Sequence, residues 1–211
     1  MSSYPTLKLT YFAISTGRAE VVRLALAIGG IPFEDDRVTF SQWPAVKPTL
    51  PFQQMPVLTV NGEAVAQNVA IARYVGTLAG LYPSANPLEA ARVDEIFLAV
   101  EDIRSVLLGL LSIQDEAARK AEGEKISATT LPQAFGLLDA RLTAKSKGTP
   151  YLLDNLSLAD LDVYTIVAVT KSGWLAGIST TVADAFPKVS AVYNAVAAHP
   201  KVAEWVAKHA N

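Results

Sequence analysis

Cysteine is absent from this 211-residue chain, which excludes disulfides, zinc–thiolate sites and any reaction run on the protein's own thiol. Histidine is nearly absent too, with only His199 and His209, so a histidine metal cluster is not expected. Charged residues are sparse at 18% and nearly balanced, giving a formal net charge of -2. That balance argues against a broad electrostatic footprint for nucleic acid. No hydrophobic run reaches the length of a membrane span, and Met1-Ser2-Ser3-Tyr4-Pro5 lacks the charged and apolar regions of a signal peptide. The expectation is a cytoplasmic protein with no membrane partner. What the chain has instead is 51% hydrophobic residues, enough for one large domain or two small ones with real cores.

The stretch from Phe52 to Tyr74 carries the densest local signals. Pro56 opens an apolar run that reads as a strand, where a missing N–H costs no ladder bond. Asn61-Gly62 is a strong hairpin signal, and after the return strand Asn68 is placed as the N-cap of a helix. An open helix N-terminus suits a carboxylate or phosphate, although a capped hairpin-and-helix occurs in many folds. Upstream, Leu7-Lys8-Leu9-Thr10-Tyr11-Phe12 alternates as a first strand. A turn follows over Ala13–Gly17, then a helix from Arg18 to Ile28 stopped by Gly29-Gly30. A polar edge strand runs through Val38. The resulting order, βαβ followed by ββα, is the thioredoxin-type arrangement.

Leu81-Tyr82-Pro83-Ser84-Ala85-Asn86-Pro87 reads as a linker, and everything after it reads as helix. The expected domains are therefore residues 1–81, thioredoxin-like, and residues 89–211, all-helical, joined by residues 82–88. Val93, Ile96, Val100, Ile103, Leu107 and Leu110 form a core-facing stripe. Asp94 with Glu101 and Glu95 with Asp102 make an acidic face at heptad spacing, which by itself reads as solvated surface. A second helical region over Asp115–Lys145 is expected to bend or restart at Pro132. Ser157-Leu158-Ala159-Asp160 is a capping box, which assigns Asp160 to folding. Pro187 and Pro200 read as starts of short terminal helices.

Taken together, these words resemble the cytosolic glutathione transferases, most closely the sigma class. The matching segments are Leu9-Thr10-Tyr11-Phe12, Gly17-Arg18-Ala19-Glu20, Trp43-Pro44, Leu50 to Leu58, Ala66 to Tyr74, Leu158-Ala159-Asp160 and His199-Pro200-Lys201-Val202. The resemblance implies a homodimeric enzyme of detoxification that conjugates the glutathione thiolate to small hydrophobic electrophiles. Isomerase or peroxidase activity is possible on the same scaffold. Glutathione would be a co-substrate, with no other cofactor and no metal. The alternative is a non-enzymatic relative, crystallin-like or a module associated with translation factors.

The same resemblance implies roles for individual residues. Tyr11 would be catalytic and Arg18 its electrostatic support. A free thiol of pKa about 8.5 is only roughly 3% thiolate at neutral pH, so a phenol donating to the sulfur would favour the reactive form. Ser15 in the following turn is the alternative activating hydroxyl, as in the serine-type classes. Pro56 would be cis, exposing the Met55 backbone to the cysteinyl part of glutathione. Gln67 and Asn68 would meet the γ-glutamyl carboxylate, while Trp43, Lys47 and Gln54 would lie toward the glycyl end. Asp102 would reach the γ-glutamyl ammonium bound by the neighbouring subunit. Ile14, Arg104, Ser105 and Leu108 would line the second-substrate pocket, with Arg104 offering a charge to polar acceptors. In two places the chain departs from the family pattern: Asn68 stands where serine is usual, and the turn Ala13–Thr16 is one residue longer.

Overall fold

Alternating burial of Leu7, Leu9 and Tyr11 builds strand β1 (Leu7–Phe12) in the computed structural model, which describes residues 4–146 and 148–209. Residues 1–3, Lys147 and residues 210–211 lie outside the described residues, and with them the head of the expected 1–81 domain and the tail of 89–211. Helix α1 (Glu20–Ile28) carries the chain from β1 to the parallel strand β2 (Glu34–Val38). It starts two residues later than Arg18, after a turn that includes Gly17 at φ +82°. Val21, Val22, Leu24, Ala25 and Leu26 of α1 are fully buried.

Strands β3 (Val57–Val60) and β4 (Glu63–Ala66) form the expected hairpin. Asn61 and Gly62 both adopt positive φ, as a two-residue hairpin turn of matching twist requires. The sheet order is β2-β1-β3-β4, with β3 antiparallel to both neighbours. Between β2 and β3 lie a short helix, α2 (Trp43–Val46), and two single 3₁₀ turns. Helix α3 (Asn68–Leu78) follows β4 directly and packs beside α1. The architecture is the thioredoxin-like βαβ-ββα sheet expected from the sequence.

The chain divides into two compact units; the division falls inside the expected 82–88 linker, where a helix already begins at Pro87, and it differs from the expected domains in the placement of the last helix. The first unit comprises the chain up to Ser84 together with the segment from Pro200 onward; the second is Ala85–His199. The terminal helix, which begins at Pro200, therefore belongs with the sheet. Its Val202 is fully buried, and its Trp205 stacks on Phe33 at 5.9 Å between ring centres.

The second unit is all helical. Helix α4 (Pro87–Gly109) begins with Pro87 in the first turn, and the Asn86 side chain accepts from the Glu89 N–H at 3.3 Å. All six members of the predicted stripe are buried. Each such aliphatic side chain contributes about 1.5–3 kcal/mol relative to exposure, against about 1 kcal/mol for a cap. Packing therefore outweighs capping in holding α4. The expected break comes at Thr129, between α5 (Glu116–Ala128) and α6 (Thr130–Lys145), with Pro132 in the first turn of α6. Helix α7 (Leu158–Lys171) is buried along nearly its whole length and opens on the Ser157–Asp160 capping box. Helices α8 (Pro187–Ala197) and α9 (Pro200–His209) start at the two prolines read as initiators. No helix among the described residues is long and apolar enough to cross a membrane.

Candidate active site

Strand register gathers the candidate residues at one end of the sheet. Thr10 pairs with Val57, and Val57 pairs with Ala66. One step further along each strand stand Tyr11 on β1, Pro56 before β3 and Gln67 after β4. Three separate stretches thus deliver a phenol, a backbone segment and a helix N-terminus to the same edge. The Met55–Pro56 peptide is cis, as the resemblance implied. Gln54 joins this edge through a long hydrogen bond from Gln67 Nε2 to Gln54 Oε1 at 3.5 Å. Trp43 joins it through an edge-on contact with Phe12 at 5.3 Å between ring centres. Lys47 is exposed on the turn just after α2.

Tyr11 is buried, and its phenolic oxygen accepts a hydrogen bond from the Arg18 backbone N–H at 3.2 Å. A donor aimed at that oxygen stabilises negative charge on it and strengthens the hydroxyl as a donor in turn. Arg18 therefore supports Tyr11 through its main chain, a route invisible in the sequence. The close fit of Gly17 makes this geometry possible, because a Cβ at residue 17 would meet the phenolic oxygen.

At the start of α3 the structure differs from expectation by one residue. The N-cap is Gln67, at φ 74° and ψ 119°, and Asn68 is already the first helical residue. No side chain caps this helix. Asn68 is 7% exposed, and its Oδ1 and Nδ2 atoms are buried without a hydrogen-bond partner. Buried polar groups are ordinarily satisfied, so an orphaned amide beside an uncapped helix N-terminus marks a place prepared for a polar, anion-bearing ligand. Gln67, exposed at a positive φ that non-glycine residues rarely adopt, points to the same place being under functional constraint.

Sequence reasoning passed over Arg23. Its side chain is fully buried in α1, yet it donates through Nη1 to the Ile14 carbonyl at 2.7 Å and through Nη2 to the Phe12 carbonyl at 3.4 Å. Asp35 accepts from its Nε at 3.0 Å and Glu20 from Nη1 at 3.2 Å. The guanidinium carbon stands 5.8 Å from the centre of the Tyr11 ring. The available signal was Glu20-x-x-Arg23, two opposite charges three apart in an otherwise apolar helix.

Four residues expected near the second substrate or the partner, Asp102, Arg104, Ser105 and Leu108, lie on α4. Asp102 is exposed, in a groove of about 360 Å³ that also includes Ile96, Val106, Leu137 and Arg141. Ser105 is exposed and Leu108 half-buried. The charge expected of Arg104 requires a correction. Its side chain is 3% exposed and bonds to Asp162, to Glu101 at 3.2 Å and to Thr165 at 3.4 Å. Desolvation makes an unpaired cation there prohibitive, so the charge is neutralised inside the helical unit. Ile14 is half-buried in the turn after β1, its carbonyl held by Arg23.

Residues 7–77 match the family profile described as glutathione S-transferase, N-terminal domain, and residues 101–209 match glutathione S-transferase, C-terminal domain. The hematopoietic prostaglandin D synthase of Gallus gallus is 32% identical over 204 residues, covering 97% of this chain and 96% of that protein. Glutathione S-transferase 1 of Ascaris suum is 36% identical over 172 residues, 80% of this chain and 82% of that one. Among solved structures, prostaglandin synthase D of Nilaparvata lugens superposes with a TM-score of 0.85 at 33% identity, covering 97% and 98% of the two chains.

Proposed function

The chain belongs to the glutathione transferase family, and from that premise we propose that it conjugates the glutathione thiolate to small hydrophobic electrophiles, with Tyr11 activating the sulfur. The observation that carries the reading is the orphaned Asn68 amide beside the uncapped start of α3, on the same sheet edge as Tyr11. A γ-glutamyl carboxylate would satisfy both features at once, with Gln67 as a further donor. The Met55 backbone would pair with the cysteinyl segment in the manner of an added strand. Trp43, Lys47 and Gln54 would hold the glycyl end, where Lys47 offsets the second carboxylate.

The chemical sequence is short. The thiol proton leaves to solvent, and the resulting thiolate accepts a hydrogen bond from the Tyr11 hydroxyl. That hydroxyl is held in place by the Arg18 N–H and the Gly17 turn. The thiolate attacks an electrophilic carbon, and the leaving group departs with the bonding electrons. Glutathione is consumed as co-substrate. Ile14 and Ser105, which keep accessible surface, and the half-buried Leu108 are retained as residues contacting the electrophile. Similarity to prostaglandin D synthases favours a second reading on the same site. There the thiolate adds to a substrate and is later expelled, giving an isomerisation without net consumption of glutathione.

We also propose a homodimer in which Asp102 completes the partner's site. Support comes from the α4–α6 groove, where Asp102 stands among apolar side chains, with Val106 at 36% and Leu137 at 69% exposure. A second copy covering that patch would remove apolar surface from water. The setting is the cytoplasm, where the glutathione pool is kept reduced, and the role is detoxification of reactive small molecules. Retention on immobilised glutathione, followed by a conjugation assay with an aryl halide, tests the whole reading. A chain that neither binds nor conjugates would overturn it.

A further inference from the structure

The last helix reaches the turn that follows Tyr11 by two routes, one indirect through Glu20 and Arg23 of α1 and one direct at Ser15. On one side, the Trp205 indole N–H donates to Glu20 Oε1 at 2.9 Å, and the other oxygen of that carboxylate receives Arg23. Arg23 in turn holds the Ile14 and Phe12 carbonyls. On the other side, the Ser15 hydroxyl donates to the His209 carbonyl at 3.0 Å. The two routes are joined along α9 itself, because His209 Nδ1 lies 2.8 Å from the Trp205 carbonyl and the two rings lie tilted against each other with centres 3.9 Å apart. Asp35 closes the inner side, accepting from both Arg23 and Arg37, and Arg37 approaches Ser15 Oγ at 3.5 Å.

Charge alone does not explain this arrangement. Arg23 and Arg37 carry two positive charges, and Glu20 and Asp35 carry two negative ones, so the cluster is formally neutral. Beside Tyr11 the field of Arg23 is therefore largely cancelled by its own counter-ions. What survives cancellation is geometry: two carbonyls and one hydroxyl of residues 12–15 are fixed in space, and the turn they form leads directly into Gly17 and the Arg18 N–H that holds the phenol.

We propose that Trp205 and Ser15 are positioning residues for Tyr11, acting through Arg23 and the turn after β1, so that α9 sets the alignment of the activating phenol. The inference rests on the proposed role of Tyr11. A helix otherwise placed far along the chain thereby becomes part of the alignment of the thiolate-stabilising group.

The test uses Trp205→Phe, which keeps a ring against Phe33 and His209 while deleting the N–H donor, and Ser15→Ala, which deletes the hydroxyl. Each is assayed for kcat, for KM toward glutathione and for the thiol pKa from the pH–rate profile. Tyr11→Phe and the double variant Tyr11→Phe/Trp205→Phe are assayed alongside. Expected is a loss of kcat of about threefold or more in each clamp variant, with KM for glutathione changed less than twofold. The profile should move up by about half a pKa unit, the equivalent of that loss. In the Tyr11→Phe background the Trp205 substitution should have no further effect, because the group it positions is gone. An unchanged kcat and profile in both clamp variants would overturn the proposal, as would an equal loss with and without the Tyr11 hydroxyl. If Tyr11→Phe itself keeps the wild-type profile, the activating role of Tyr11 and this proposal fall together. If only the clamp variants are silent, the role of Tyr11 stands and the proposal alone falls.

Discussion

The phenolic oxygen of Tyr11 lies so close to Gly17 that a Cβ built on residue 17 would stand 2.7 Å from it. The same glycine adopts φ +82°, a conformation that side chains disfavour. Gly17→Ala is therefore strained twice, once in its backbone and once against the Tyr11 ring. Displacing a reacting group by about 1 Å can cost on the order of a hundredfold in rate. Expected is a conjugation rate reduced to that extent with glutathione affinity within about threefold of wild type, since no tripeptide contact is touched. Wild-type kcat would show that the turn accommodates the methyl without moving Tyr11.

Tyr11→Phe removes one hydroxyl and leaves the ring in place. The bound thiol's pKa should climb toward about 8.5. Conjugation at neutral pH should fall roughly ten- to a hundredfold, matching the loss of about one to two pKa units. The deficit should narrow as pH rises, because solvent then ionises the thiol unaided. Ultraviolet difference spectra of the bound thiolate provide the direct check. Ser15 is poorly placed to take over, since its hydroxyl already donates to the His209 carbonyl.

Asn68 offers a test in which stability and binding part company. Its amide is buried and unsatisfied in the free protein, so Asn68→Ala removes a desolvated group and should leave Tm unchanged or slightly raised. Glutathione affinity should fall roughly 10- to 150-fold, the equivalent of about 1.5–3 kcal/mol for one hydrogen bond to a charged group. Asn68→Ser, restoring the family residue, should change affinity only modestly. Calorimetry on the alanine variant decides the matter: unaltered affinity would assign Asn68 to packing.

For Asp102 the expected outcome concerns two chains at once. Asp102→Ala should weaken glutathione binding by about 1.5–3 kcal/mol while the dimer persists. In mixed dimers, Tyr11→Phe on one chain and Asp102→Ala on the other should leave one intact site. Sedimentation together with titration measures both; a monomer that binds glutathione as tightly as wild type would remove the idea.

Asp160 is a folding residue whose titration is open to measurement. Its carboxylate accepts from the Leu152 N–H, the Ser157 N–H and the Ser157 hydroxyl, all at 2.7–2.8 Å. Burial nevertheless pushes its acid above the ordinary value of 3.8, with those three donors pulling the other way. A folded-state pKa raised above the unfolded one means stability present at low pH and lost as pH rises through the folded value. Asp160→Asn should cost about 1–3 kcal/mol by leaving a buried donor unmet. That cost should be smaller at pH 7 than near pH 4. A cost that grows with pH would mean the three donors outweigh burial.

Local chemistry made much of this molecule legible beforehand. Asn61-Gly62, Ser157-x-x-Asp160 and the prolines at 187 and 200 each fix a turn or a helix start within a few residues, and each element forms where those signals stand; Asn86-Pro87, read as linker, instead starts α4. Tyr11, Pro56 and Gln67 could be singled out as candidate site residues because short words of sequence surround them, and the strand register brings them together. Arg104 was misread because helical spacing tells which residues share a face but not which partner waits there, and Asp162 is 58 residues away. Arg23 and Trp205 were missed for the same reason: their partners are 9 and 185 residues distant. The Arg18 contribution lies in its main chain, which no side-chain pattern can reveal.

The placement of α9 in the first unit has a consequence for how the protein is made. A domain emerging from the ribosome generally folds once its own residues are out. Here the sheet and its first three helices are synthesised early, yet the face of α1 that α9 covers stays bare until residues beyond Pro200 emerge. The helical unit, contiguous from Ala85 to His199, is complete in sequence before that moment. The part of the chain made first is thus the part finished last, and a nascent chain halted when His199 has emerged but α9 has not should carry a folded helical unit and a sheet still accessible to protease.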